Sequence, residues 1–221
     1  MTTLKFYGHA CFQLTYGKTS LLFDPFFTGN PINNAKAEEI ECNYILVSHG
    51  HSDHLGDTVA IAKRTGATVI TTAELASLVG EQGCANISMH LGGKRAFDFG
   101  YVRITPAFHG SGVPGGHAAG FVVNFFGTTV YFAGDTALFG DMALIGRLEQ
   151  IDYALLPIGD NYTMGPDDAV EAVKMLNPRI VIPMHYNTWP LIAQSPEAFK
   201  QKVEAINIPV HIISPGQYIE L

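Results

Sequence analysis

The chain has 221 residues, which is long enough for a sizeable core and fits one large domain or two small ones. Hydrophobic residues make up 47% and charged residues 15%, a balance typical of a globular protein. The net charge of −7 and the absence of a Lys/Arg cluster argue against nucleic acid as a partner. There is no N-terminal signal pattern, no apolar run of transmembrane length and no closely spaced cysteine pair. We therefore expect a cytoplasmic protein without a membrane partner.

Apolar runs separated by turn residues predict an alternation of strands and helices along the chain. Strands are expected over residues 4–7, 11–16, 20–23, 44–47, 68–71, 95–99, 101–107, 121–126, 129–133, 153–158, 180–184 and 210–213. Helices are expected over residues 58–64, 74–82, 166–176 and 196–206. Hairpins in the middle and helical connections elsewhere predict an α/β (α+β) fold. We expect one domain over residues 1–221, with two mixed sheets and helices outside them.

Six of the apolar runs are followed by a side chain that can bind a metal ion or accept hydrogen bonds. These side chains are Asp24, His49, His109, Asp135, Asp160 and His185. Open α/β domains place their active sites at the carboxyl ends of the strands. The pattern therefore predicts a single site assembled from loops at one edge of the sheets.

The hexapeptide His49-Gly50-His51-Ser52-Asp53-His54 contains three imidazoles and one carboxylate. Nitrogen and oxygen donors of this kind are typical ligands of transition metal ions. Ligands so close in sequence cannot easily converge on one point, so the hexapeptide predicts two ions side by side. The alternative is a solvated polar turn.

The series His49-x-His51-x-Asp53-His54, followed by His109, Asp135 and His185, resembles the metal-binding residues of the metallo-β-lactamase superfamily. The resemblance covers nearly the whole chain. Segments 8–12, 157–166 and 183–186 resemble a bacterial and archaeal group of metal-dependent hydrolases without a settled substrate. Ascorbate-6-phosphate lactonases and N-acyl-phosphatidylethanolamine phospholipases are similar at a greater distance. The resemblance implies a four-layer αβ/βα sandwich with the site at the sheet edges.

The resemblance also implies a role for each ligand. One ion would be held by His49, His51 and His109, the second by Asp53, His54 and His185, and Asp135 would bridge both. Two divalent ions at about 3.5–4 Å would lower the pKa of a bridging water to about 7, and Asp53 would accept a proton from it. A donor set without thiolate suits zinc first, with manganese, iron or nickel as alternatives. His51 stands where the diiron flavoprotein branch has Glu, which disfavours oxygen or nitric oxide reduction.

Five further residues are candidates for supporting roles. Asp24, His9 and Asp160 are expected to orient metal ligands, and their alternatives are turn or structural roles. His117, at the end of a glycine-rich loop, is expected to contact the substrate or to donate a proton to its leaving group. Tyr162 is expected to be a donor to an oxyanion or to the substrate. Their alternatives are a plain connector and an ordinary turn.

The function that we expect is hydrolysis of an ester, lactone, amide or phosphodiester bond in a small-molecule substrate by a dinuclear metal site with a bridging hydroxide. One alternative is a non-hydrolytic metal-binding or redox module. Another is a phosphodiesterase or nuclease of the same superfamily, although the net charge argues against a nucleic acid groove. Relatives of this short form often self-associate, so a homo-oligomer is a further possibility.

Overall fold

The computed structural model describes residues 1–221 and contains two β-sheets. The first sheet consists of β1 (Thr3–Gly8), β2 (Cys11–Tyr16), β3 (Thr19–Phe23), β4 (Tyr44–Leu46), β5 (Thr68–Thr72), β6 (Asn86–Met89) and β13 (Tyr218–Glu220). Their spatial order is β13-β1-β2-β3-β4-β5-β6. The strands from β13 to β3 pair antiparallel, and those from β3 to β6 pair parallel, so this sheet is mixed as predicted.

The second sheet is also mixed and has six strands in the order β12-β11-β10-β9-β8-β7. Its strands are β7 (Lys94–Phe97), β8 (Gly100–Pro106), β9 (Ala119–Phe125), β10 (Thr128–Phe132), β11 (Tyr153–Pro157) and β12 (Ile180–Met184). The pairs from β7 to β10 are antiparallel, whereas β10, β11 and β12 run parallel. The parallel strands send their carboxyl ends to one edge of the sheet.

Helices lie outside the two sheets and complete a four-layer arrangement. The first sheet is accompanied by α1 (Ser52–Leu55), α2 (Thr58–Thr65) and α3 (Ala73–Glu81), and the second by α4 (Met142–Leu148), α5 (Pro166–Leu176) and α6 (Pro196–Glu204). Pro166 starts α5, where the missing N–H costs nothing. Ser195 caps α6 by accepting the Ala198 N–H. No helix is both long enough and apolar enough to cross a membrane.

The main core contains 41 buried residues, which fill the space between the sheets and extend across the second sheet to α4, α5 and α6. Phe23 of the first sheet stacks on Phe132 of the second with ring centroids 4.8 Å apart, and Phe12 meets the same ring edge-on at 6.5 Å. A second cluster of 16 residues fills the space between the first sheet and its helices. Burial on both faces explains why so many strands are apolar without alternation.

One predicted strand, over residues 210–213, is wrong. The structure has a single bridge there, between Val181 and Val210. Pro209 carries no N–H to extend the pairing, and by Gly216 the chain has moved to β1, where the Gly216 N–H donates to the Phe6 carbonyl. Conversely, β6, β13 and α4 are present although no strand or helix was expected over their residues.

Candidate metal centre

The seven predicted ligands come together where loops leave the carboxyl ends of strands from both sheets. The loop after β4 continues into α1 and carries four of them, whereas single ligands follow β8, β10 and β12. The structure thus brings together His49, His51, Asp53, His54, His109, Asp135 and His185.

The side chains form two groups. The first consists of His49, His51 and His109, whose ligand atoms all lie within 4.8 Å of one another. Within it, His49 Nε2 is 3.0 Å from His51 Nδ1. The second group consists of Asp53, His54 and His185 together with His9. Their ligand atoms also lie within 4.8 Å of one another.

Asp135 lies between the two groups and is buried. Its Oδ2 atom is 3.1 Å from His185 Nε2 and 3.2 Å from His54 Nε2 in the second group. The same oxygen is 3.5 Å from His109 Nε2 in the first group. One carboxylate therefore reaches ring nitrogens of both groups.

The donor set fits divalent metal ions. Four buried atoms have no hydrogen-bond partner, namely His54 Nε2, His185 Nδ1 and Nε2, and Asp135 Oδ1. An unpaired buried polar atom costs about 1–3 kcal/mol, so such a cluster calls for a ligand that satisfies it. Imidazole nitrogens and carboxylate oxygens that converge without thiolates match the preference of zinc and similar divalent ions.

The electrostatics of the site put His49 and Asp135 in metal-binding protonation states, whereas His54 carries a proton that a metal ion would have to displace. Burial, followed by the charge of His54, lowers the pKa of His49 to about 2, so its imidazole is neutral. Burial opposes ionisation of Asp135, but His54 and His185 outweigh it and hold its pKa well below the usual range. Burial is likewise outweighed at His54, where Asp135 and Asp24 raise the pKa well above its ordinary value. A cation at His54 Nε2 would take the place of that proton.

Asp24 and Ser48 fix which nitrogen of two histidines is free. The buried carboxylate of Asp24 accepts from His54 Nδ1 at 2.6 Å, from the Ser48 N–H at 2.7 Å and from the Ser48 hydroxyl at 2.6 Å. Ser48 Oγ therefore accepts from His49 Nδ1, at 2.9 Å. His49 then presents Nε2 without a proton, and His54 presents Nε2 to a cation once the proton there is displaced. The sequence pointed to Asp24 by its position after β3, but gave no signal for Ser48.

His9 is fully buried beside the second group. Its Nε2 donates to Asp53 Oδ2 at 3.1 Å, and its Nδ1 accepts from the Thr188 hydroxyl at 2.8 Å. Burial, then the nearby His185, lowers the pKa of His9 to about 4, so the ring is neutral. His9 thus contacts Asp53, and its role in orienting a metal ligand stays a prediction. Thr188 is a partner that sequence reasoning missed.

Backbone strain is concentrated around the centre. His9, Asp24 and His185 have φ angles of 60°, 37° and 54°, in the left-handed region that non-glycine residues rarely adopt. Such conformations persist where surrounding contacts enforce them, and they occur often at functional sites. Here the His185 N–H donates to the His9 carbonyl at 2.7 Å, which ties two of these residues together.

The glycine-rich loop after His109 packs against the hexapeptide. The Gly50 N–H donates to the Ser111 carbonyl at 2.7 Å. A Cβ atom on Gly50 would lie 2.5 Å from Val113 Cγ2, and one on Gly112 would lie 2.6 Å from the Gly50 carbonyl carbon. Glycine at both positions allows this close approach of the two loops, and so helps to position the ligands beside Gly50.

A cavity of about 230 Å³ opens onto the ligands, and Tyr162 and Trp189 line it together with them. Two other predicted residues lie elsewhere. The exposed ring of His117 is 5.5 Å from that of His90, and His117 does not line the cavity. Asp160 is exposed and accepts the Asn161 N–H at 2.8 Å without contacting a ligand.

Comparison with known proteins identifies the family and the fold of the chain. The family model described as a β-lactamase superfamily domain matches residues 19–186. A UPF0173 metal-dependent hydrolase from Pelotomaculum thermopropionicum is 54% identical over 225 residues, covering 98% of both chains. Another, from Symbiobacterium thermophilum, is 54% identical over 219 residues and 97% of both chains. The structure of Igni18, a metallo hydrolase from Ignicoccus hospitalis, matches with a TM-score of 0.93 at 35% identity, covering 100% of this chain and 99% of Igni18.

The chain therefore belongs to the β-lactamase superfamily. Within that superfamily it is a metal-dependent hydrolase. The predicted family and the predicted fold of two mixed sheets between helices are both confirmed.

Proposed function

We propose that this hydrolase uses two divalent ions to cleave an ester, lactone, amide or phosphodiester bond of a small molecule. The observation that carries the proposal is the position of Asp135 between two groups of ligands. Its Oδ2 atom is 3.5 Å from a nitrogen of the first group and 3.1 Å from one of the second. A carboxylate in that position can contact two ions at once.

In this proposal His49, His51 and His109 hold one ion, and Asp53, His54 and His185 hold the other. When bound, two such ions lower the pKa of a water molecule and polarise the bond under attack. The donor set of imidazoles and carboxylates is the reason to propose zinc, with manganese, iron or nickel as alternatives.

Asp53 is the residue that we propose as proton acceptor. Its side chain is 24% exposed, whereas those of Asp24 and Asp135 are 0% and 4% exposed. Burial opposes its ionisation, but the hydrogen bond from His9 and the charge of His54 outweigh burial and lower its pKa. An ionised carboxylate with access to the cavity can take a proton from the attacking water.

Tyr162 is proposed to donate its hydroxyl proton or a hydrogen bond to the leaving group, because it lines the cavity. His117 was expected in a similar role, but its place beside His90 gives that role no support. Cytoplasmic location, self-association and the absence of nucleic acid and membrane partners stay predictions.

The test is an Asp135→Ala variant assayed against bis-p-nitrophenyl phosphate, lactones and thioesters. We expect the wild type to hydrolyse one of these classes with zinc or manganese and to lose activity with a chelator. The variant should lose at least about a thousandfold in rate and most of its bound metal. Asp152→Ala is the control, since Asp152 accepts the Thr129 N–H away from the site. Full activity of the Asp135→Ala variant would contradict the proposal.

A further inference from the structure

Two aromatic rings line the cavity in addition to the ligands. Tyr162 is 55% exposed and Trp189 is 37% exposed. The Trp189 ring lies edge-on to His9 at 5.0 Å and packs near Phe26 at 6.1 Å. One part of the Trp189 ring therefore packs against residues beside the candidate metal centre, and the rest of the ring is exposed to solvent.

Further apolar side chains are exposed on the loops that carry the ligands. Phe108 directly precedes His109, is 63% exposed and packs on Phe139 at 5.2 Å. Leu191 is 60% exposed and follows Trp189 by two residues. Exposed apolar residues that gather around a cavity are typical of a binding surface, whereas single ones are ordinary.

Positive side chains are absent from the loops that carry the centre. Six loops begin at the ends of β3, β4, β8, β10, β11 and β12. All 13 Lys and Arg residues of the chain lie outside the ten residues that follow each of these strands. Apart from histidine, the charged residues within them are the aspartates 24, 53, 135, 141, 160 and 167. A phosphate or carboxylate on the substrate, away from the reacting bond, would find no charge partner there.

We propose that the site selects substrates whose non-reacting group is uncharged and apolar, either aryl or alkyl. Esters and lactones of that kind are the substrate class, and phosphorylated or carboxylate-bearing molecules are discriminated against. This inference rests on the hydrolytic function proposed above. Tyr162 and Trp189 contact the apolar group, and Phe108 and Leu191 extend the surface for longer groups.

The first test measures binding without turnover. Trp189 is the only tryptophan of the chain, so its fluorescence reports directly on this cavity. The zinc-loaded protein is titrated with uncharged methyl ketones from 2-butanone to 2-octanone, which cannot be hydrolysed. We expect affinity to rise about two- to fourfold with each methylene, as for burial of apolar surface. In Tyr162→Ala the affinity should rise less with each methylene. In Leu148→Ala, which changes an exposed residue of α4, the rise in affinity should be the same as in the wild type.

The second test compares kcat/KM for p-nitrophenyl butyrate and p-nitrophenyl hemisuccinate, which differ mainly in a terminal carboxylate. We expect the uncharged ester to be preferred at least tenfold. Equal kcat/KM values together with a flat ketone series would overturn the substrate class while leaving hydrolysis intact. A rising ketone series without metal-dependent hydrolysis of any ester, lactone, amide or phosphodiester would instead overturn the proposed function but would still support the apolar binding surface.

Discussion

Asp24 contacts no substrate, yet three hydrogen bonds from His54 and Ser48 end on its carboxylate. The negative charge and the two oxygens together keep the proton of His54 on Nδ1, which leaves Nε2 free. A partner of this kind commonly contributes 10- to 100-fold to metal affinity. The consequence is that a neutral amide of the same shape should weaken the site.

We expect Asp24→Asn to lower the metal affinity by about 10- to 100-fold, because one amide end donates and cannot accept. Competition with a chelating dye measures this affinity. Asp152→Asn is the matched control, since it removes a carboxylate that accepts the Thr129 N–H far from the ligands. Unchanged affinity in Asp24→Asn would show that Asp24 does not orient His54.

The sequence pointed to the clustered histidines and carboxylates more clearly than to their hydrogen-bond partners, for a physical reason. His49 to His54, His109, Asp135 and His185 are recognisable because each follows an apolar run that becomes a strand. The roles of Ser48 and Thr188 depend on hydrogen bonds to Asp24 and His9, which are distant in the chain. The positive φ angles of His9 and His185 likewise follow from their tertiary contacts, since neither residue type demands them.

At the scale of elements, the strands that support the site were predictable, and several peripheral ones were not. The missed strands β6 and β13 are short, mostly exposed edge strands without an apolar run. The missed helix α4 contains Gly146, a poor helix former. A Cβ there would lie 2.5 Å from the Leu176 carbonyl oxygen, so glycine permits the close contact between α4 and α5. That contact is invisible in the local sequence.

The end of α4 is joined to the second sheet by Glu149. Its buried carboxylate accepts from the Tyr101 hydroxyl at 2.6 Å and lies 2.8 Å from Arg103 Nε and 3.3 Å from Lys94 Nζ. Burial, followed by the hydrogen bond and charge of Glu149, raises the pKa of Tyr101 to about 12. Through these contacts, Glu149 at the end of α4 is connected to Lys94 of β7 and to Tyr101 and Arg103 of β8.

We expect Glu149→Gln to lower the free energy of unfolding by about 1–3 kcal/mol, because it leaves cations and a hydroxyl without a charged acceptor. Urea denaturation measures the change. Glu171→Gln removes an exposed pair with Lys174 in α5 and should cost less than about 0.5 kcal/mol. Equal losses in both variants would contradict a special role for Glu149.

In the whole molecule, the candidate metal centre lies where the two sheets meet. His49, His51, Asp53 and His54 come from a loop of the first sheet, and His109, Asp135 and His185 come from loops of the second. The Asp135 carboxylate contacts His54 across this junction at 3.2 Å. Bound ions would therefore link two halves of the fold that otherwise meet through an apolar core.

The number of metal ions bound per chain tests whether this junction holds two of them. Elemental analysis of the purified wild type, after removal of free metal, should give two ions per chain. His51→Ala removes a ligand of one group only and should leave about one tightly bound ion with little hydrolysis. The two-ion proposal would be contradicted if the wild-type protein hydrolysed its substrate equally fast with one bound ion per chain and with added metal.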